Sequence, residues 1–190
     1  PLQRYHLQAL LDVVERCDER GWCDGTAGNF SLRGSGDVVW VSPSGISKRH
    51  LEVRSFLAVD LTSGKLIGPE VGRPSGEMAA HLGLYRRDPS IKAVVHVHPP
   101  HLVAASRTKS LRFTNAEMVK ALGVDSFEDE FCVPIHANRS PKRFNDLITE
   151  VADMDLGPLP LLVLEGHGVY AGAETPDAAL NRIEALEFLC

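Results

Sequence analysis

The run Val94-Val95-His96-Val97-His98-Pro99-Pro100-His101 sets two histidines one residue apart at the end of an apolar segment. In an extended strand residues i and i+2 project from the same face, so His96 and His98 stand side by side. Two neutral imidazoles so placed can share a zinc ion at about 2.0–2.1 Å each. A third comes from Leu164-Glu165-Gly166-His167-Gly168-Val169, where four apolar residues, read as a strand, deliver His167 between two glycines that permit close backbone approach. Three histidines leave one tetrahedral position free, as a catalytic zinc site requires. A lone HxH pair is more often structural than not. The Gly-His-Gly turn at a second strand end tips the balance toward a metal. His101 stays open as a further ligand, while His6, His50, His81 and His136 carry no partner pattern.

Three further segments are small, hydroxyl-rich turns: Gly25-Thr26-Ala27-Gly28-Asn29-Phe30-Ser31, Ser42-Pro43-Ser44-Gly45 and Arg73-Pro74-Ser75-Gly76-Glu77. Such turns offer backbone N–H groups and hydroxyls, and the third adds the positive end of a helix, which together suit a phosphate. Each alone is an ordinary turn. Lys48, Arg49 and Arg73 stand near enough in sequence to add positive charge. Two carboxylates, Glu77 and Glu117, open helices, where an acid is often only a dipole partner. Proton transfer at a carbon beside a metal-bound carbonyl needs one acid or base of this kind. Residue type does not choose between them.

The elements that must position these groups follow from periodicity and punctuation. Leu7, Leu10, Leu11, Val14 and Cys17 recur at helical spacing and Gly21 stops that helix. Strands are expected at 30–33, 38–41, 56–61, 93–98, 131–135 and 161–164, separated by Gly, Pro and Ser turns. Helices are expected over 74–87 with Ser75 as cap, over 114–122, over 144–154, and from Thr175-Pro176-Asp177 to the C-terminus. Strands and helices interleave in a layered α/β arrangement, with early hairpins that suggest an antiparallel or mixed sheet. No repeat or long linker divides the chain, so residues 1–190 read as one domain.

Composition narrows the partners. The formal net charge is −5 with no Lys/Arg block, which argues against nucleic acid. No apolar run approaches the roughly 20 residues of a membrane span, and Pro1-Leu2-Gln3-Arg4-Tyr5-His6 has no signal-peptide pattern. Cys17, Cys23, Cys132 and Cys190 form no CxxC pair, consistent with a cytoplasmic protein whose thiols stay reduced.

Taken in order, Gly25–Ser31, Ser42–Gly45, Pro74–Glu77, His96-Val97-His98 and Gly166-His167-Gly168 resemble the signature of the class II aldolase/adducin family. The resemblance implies a three-layer α/β/α sandwich around a mostly antiparallel central sheet. It also implies one zinc per subunit on His96, His98 and His167, a small phosphorylated keto-sugar as substrate, and a C4 homotetramer with sites between subunits. By it, Gly28, Asn29, Ser44, Gly45, Ser75 and Gly76 hold the substrate phosphate, and Glu77 matches the aldolases' acid/base carboxylate. Three stretches, 115–122, 131–138 and 166–170 with 184–189, resemble a branch that dehydrates a sulfur-bearing ketose 1-phosphate, and there Glu117 matches the proposed acid/base. The chain as given stops at Cys190, short of the tail from which sugar-phosphate aldolases supply a tyrosine, which points the same way. Aldol cleavage of a ketose 1-phosphate is the alternative, and a non-catalytic adducin-like module the third reading. Pro99-Pro100-His101 after the histidine pair and Arg139-Ser140-Pro141 after Asn138 depart from the dehydratase branch.

Overall fold

A computed structural model describes residues 2–68, 72–138 and 144–190; the departure at Arg139-Ser140-Pro141 lies outside them. Among the described residues are eight strands: β1 (Asn29–Arg33), β2 (Val38–Val41), β3 (Leu57–Asp60), β4 (Ala93–Val97), β5 (Ser110–Phe113), β6 (Phe131–His136), β7 (Leu161–Leu164) and β8 (Gly168–Ala173). They form one sheet in the order β3-β2-β1-β4-β8-β7-β6-β5. Every neighbouring pair is antiparallel except β6 with β7. Five α-helices cover it: α1 (Leu2–Glu19), α2 (Met78–Arg87), α3 (Pro100–Ala105), α4 (Phe144–Asp153) and α5 (Pro176–Leu189). None is long and apolar enough to cross a membrane.

Strand alternation sorts the core into two halves. On β4, Ala93, Val95 and Val97 face one side and join Leu10, Val14 and Cys17 of α1 with Leu180, Ile183 and Leu186 of α5. Val94 faces the other, with Leu82 and Tyr85 of α2 and Ile148 and Val151 of α4. β4 is therefore buried on both faces, which is why it reads as an unbroken apolar run apart from His96. The α/β/α sandwich on a mostly antiparallel sheet matches expectation. Thr175 caps α5 by accepting from the Ala178 N–H at 3.1 Å, ahead of Pro176 at the first helical position.

The differences have local causes. The helix expected from Pro74 begins only at Met78, because Pro74 is bridged to Pro43 and the Arg73 carbonyl accepts from the Ser44 N–H at 2.8 Å. That pairing holds 73–74 extended. Ser75 caps no helix; its hydroxyl accepts from the Glu77 N–H at 3.2 Å within the turn. The helix expected over 114–122 is a 3-10 segment, Glu117–Leu122, because Asn115 sits at φ 52° and breaks the run. Unforeseen were α3, opened by the second of two prolines, β5, and β8, whose Gly-Val-Tyr-Ala-Gly-Ala composition gives no alternation signal.

Helices α2 and α4 meet at Gly83, where a Cβ would lie 2.6 Å from Val151 Cβ and 2.8 Å from the Ile148 carbonyl oxygen. Overpacking there outweighs the helix propensity alanine brings, so Gly83→Ala is expected to lower stability by about 1–3 kcal/mol. A urea midpoint equal to or above the parent's would show that the interface yields freely.

Candidate metal centre

The histidines meet where β4, β8 and the β7–β8 hairpin come together. β4 lies between β1 and β8, with His96 opposite Asn29 on one side and Tyr170 on the other. Asn29, His96 and Tyr170 thus form a row across three strands on the α2 side of the sheet. The His96 ring stacks on Tyr170 at 3.8 Å and 9° between planes. His98 follows β4 directly, its N–H donating to the Trp22 carbonyl at 3.2 Å. His167 sits in the three-residue loop 165–167 of the hairpin, whose left-handed residue is Gly166 at φ 60°. At Gly168 a Cβ would lie 2.5 Å from the Val97 carbonyl oxygen and 2.7 Å from His98 Cδ2. Only glycine lets β8 come this close to the histidine pair.

One nitrogen each from His96, His98 and His167 lies within 4.8 Å of the other two. The donor set fits a metal ion. His96 Nδ1–H donates to the Val169 carbonyl at 3.0 Å, which fixes the tautomer and leaves Nε2 with a bare lone pair 3.1 Å from His98 Nε2. Burial holds the His96 imidazole well below its usual pKa and lowers that of His98 as well, which favours the neutral form that a metal would need. His167 Nδ1 is a buried polar atom without a protein partner among the described residues. These three residues would hold the ion; His101 would not, being 76% exposed and paired with Glu187 at 2.8 Å.

Glu77 borders the open side. Its Oε1 is 3.1 Å from His167 Nε2 and 3.8 Å from His96 Nε2, and its Oε2 accepts from Asn29 Nδ2 at 2.7 Å. The contact with His167, aided by His96 and Asn29, lowers its pKa to about 2 against the opposing effect of burial. The carboxylate is ionised throughout the working range.

The three expected phosphate turns converge beside it. Ser44 is tied to Arg73, Pro43 to Pro74, and Asn29 to Glu77. Gly28 has φ 76°, and a Cβ there would meet the His96 carbonyl oxygen at 2.9 Å. Gly45 is also left-handed, at φ 74°. Lys48 is buried, its ammonium donating to the carbonyls of Thr26 at 2.9 Å and Ile46 at 3.4 Å, and so stitches the first two turns together. Arg49 instead pairs with Asp18 at the surface, and Arg73 is exposed. Beyond Glu77 and His167 a cavity of about 480 Å³ runs toward α4, walled by Leu147, Val151, Met154, Leu162 and Leu164 on one part and by Asn138, Asp146 and Glu150 on another.

Glu117 is not part of this assembly within the chain. Its side chain is 80% exposed on the 3-10 segment and pairs with Lys120 at 3.8 Å. Conversely, His81 and Tyr170 stand at or behind the site although neither was singled out as functional, and Lys48, expected only as a source of positive charge, lies buried beneath its turns. For His81 the helical spacing from Glu77, four residues on, was the available signal.

Three imidazoles gathered at the end of β4 and in the β7–β8 hairpin of an α/β/α sandwich, with an acid at the open side, form a cluster able to hold one metal ion. The chain belongs to the class II aldolase/adducin family: residues 8–190 match the Class II Aldolase and Adducin N-terminal domain. It is 33% identical over 193 residues to the methylthioribulose-1-phosphate dehydratase of Pectobacterium carotovorum subsp. carotovorum (strain PC1), covering 98% of this chain and 92% of that protein. It is likewise 33% identical to the enzyme of that name from Acidiphilium cryptum (strain JF-5), over 95% of this chain and 85% of the relative. Among solved structures, the L-fuculose-1-phosphate aldolase of Thermus thermophilus superimposes with a TM-score of 0.74 at 29% identity, covering 97% of this chain and 92% of that one.

His96→Ala or His167→Ala should reduce metal content from about one equivalent per chain to below about a tenth, by elemental analysis after dialysis. Retention of a full equivalent in both variants would remove the assignment. Burial also holds His81 down at about 3, against 6.5 in the unfolded chain. Between those values the unfolded chain binds the proton that the folded one refuses. Its contribution to stability is thus complete above pH 6.5 and lost as pH falls toward 3. His81→Gln should therefore flatten the acid limb of a melting-temperature profile over that window; an unchanged slope would contradict the shift.

Proposed function

We propose that this chain is a methylthioribulose-1-phosphate dehydratase, a lyase that removes water from 5-methylthioribulose 1-phosphate to give 2,3-diketo-5-methylthiopentyl 1-phosphate in methionine salvage. The observation that carries the reading is the near full-length similarity to proteins of that name, joined to a buried three-histidine cluster bordered by an ionised carboxylate. A zinc ion on His96, His98 and His167 would act as a Lewis acid on the C2 ketone, making the C3 proton acidic. The N–H groups and hydroxyls of Gly28, Asn29, Ser44, Gly45, Ser75 and Gly76 bind the phosphate and so set C3 and C4 in the cleft. The apolar wall beyond Glu77 takes the methylthio end.

Two proton movements complete the reaction. A base takes the C3 proton, the electron pair forms C3=C4, and the C4 hydroxyl leaves as water with a proton from an acid; the resulting enol tautomerises to the diketone. Glu77 Oε1 is placed for one of these within the subunit. Glu117, exposed on its own surface, serves the metal centre of a neighbouring copy in a C4 homotetramer with sites between subunits. Four free cysteines among the described residues suit the reducing cytoplasm.

Incubation with methylthioribulose 1-phosphate should yield a product lighter by one water. Release of dihydroxyacetone phosphate, read by a coupled assay, would instead establish aldol cleavage, the chemistry named for the Thermus thermophilus relative. Glu117→Gln and Glu77→Gln should each lower kcat by about 100-fold or more. Because each variant retains the other's intact half of a shared site, an equal mixture reassembled from subunits should recover about a quarter of wild-type activity. No recovery would place Glu117 and the metal of one site in the same chain, whereas full activity of Glu117→Gln alone would leave Glu117 without a role.

A further inference from the structure

Behind Glu77 lies a string of buried polar side chains of which the proposed chemistry uses only Asn29. Ser31, His81 and Tyr85 are almost fully buried, and Asn29 nearly so. Tyr85 OH is 2.8 Å from Ser31 Oγ, which is 2.7 Å from His81 Nδ1. His81 Nε2 is 2.6 Å from Asn29 Oδ1, and Asn29 Nδ2 is 2.7 Å from Glu77 Oε2. The string crosses from α2 to β1 and back, so its members are fixed by two rigid elements.

The direction of every bond follows from what each group can donate. Asn29 gives its amide nitrogen to Glu77 Oε2 and turns its oxygen inward to His81. That oxygen only accepts, so His81 carries its proton on Nε2 and leaves Nδ1 bare. Ser31 has one proton and gives it to Nδ1; Tyr85 then gives its own to Ser31 Oγ. One set of directions satisfies all five groups. With the amide turned over, Oδ1 would face Glu77 Oε2 and an N–H would face the His81 Nε2–H, two repulsive contacts at once.

We propose that His81 is a positioning residue: its Nε2–H locks the Asn29 amide, and the locked amide holds Glu77 with Oε1 directed at the histidine cluster. His81 itself reaches neither the cluster nor the cavity beyond Glu77. Its ring lies edge-on to Tyr170 at 5.5 Å, the same ring that stacks on His96, so it is braced from a second side. The effect on turnover rests on the dehydratase reading, in which Glu77 moves a proton.

The competing account is that His81 only fills space, and two variants separate the accounts because they rank oppositely under each. Glutamine can set an N–H where Nε2–H stood, whereas leucine fills similar volume with no donor. His81→Gln should keep kcat within about fivefold of wild type, and His81→Leu should lose about 100-fold in kcat with KM within about threefold, both with metal content unchanged. Leucine performing as well as glutamine would overturn the proposal. A measurement on the unmodified protein needs no variant to fold and no turnover: nitrogen-15 NMR of the histidine rings should show His81 neutral and protonated on Nε2 from about pH 5 to 8. A proton on Nδ1 would overturn it as firmly. If wild-type protein leaves methylthioribulose 1-phosphate intact, the dehydratase reading fails while the NMR result still decides the placement of Asn29.

Discussion

Strand β4 is hydrogen-bonded along both edges, to β1 and to β8, and the site depends on that double pairing. The register sets His96 between Asn29 and Tyr170, so a ligand, an amide and a stacking ring share one row without any loop to place them. A slip of one residue on either neighbour would turn its whole set of side chains to the opposite face of the sheet. The register is held by two separately packed cores, one on each face, which must both be satisfied at once. Gly28 and Gly168 let the flanking backbones close on β4 where any side chain would hold them off.

Burial then supplies the electrostatics. The row lies inside the molecule, where water cannot stabilise an imidazolium, which favours the neutral forms of His96 and His98 with their lone pairs. The same burial would penalise the Glu77 carboxylate, but donors from His167 and Asn29 reverse that effect. A neutral His96 and a charged Glu77 thus coexist within 4 Å because the hydrogen bonds, and not the general environment, differ between them. Reactivity is confined to the open side, where turns of β1, β2 and the segment before α2 meet.

The clustering of His96, His98 and His167 was legible in the sequence because period-two projection and a glycine-flanked turn are local rules. What spacing could not supply was neighbourhood. His81 sits on a helix as an unremarkable residue, and only the packing of α2 against β1 shows that it meets Asn29 and Ser31. The start of α2 was misjudged because a long-range bridge between Pro43 and Pro74 outweighed a favourable local cap. Strand β8 was missed because its small residues answer to the closeness of β4, a tertiary requirement with no periodic trace. Glu77 and Glu117 could not be ranked from residue type, since both open helices; the structure separates them by the company each keeps.

The turn ahead of β1 carries a consequence for how the molecule meets oxidants and alkylating agents. Cys23 lies under that turn, its sulfur 3.3 Å from where a side chain on Gly28 would begin, and burial pushes its thiol up to about 12. Closed, the turn leaves almost no thiolate and no path to it. Modification must wait for the segment to lift from β4, so its rate reports how often the cleft's own wall comes open. The wall carries its own clock.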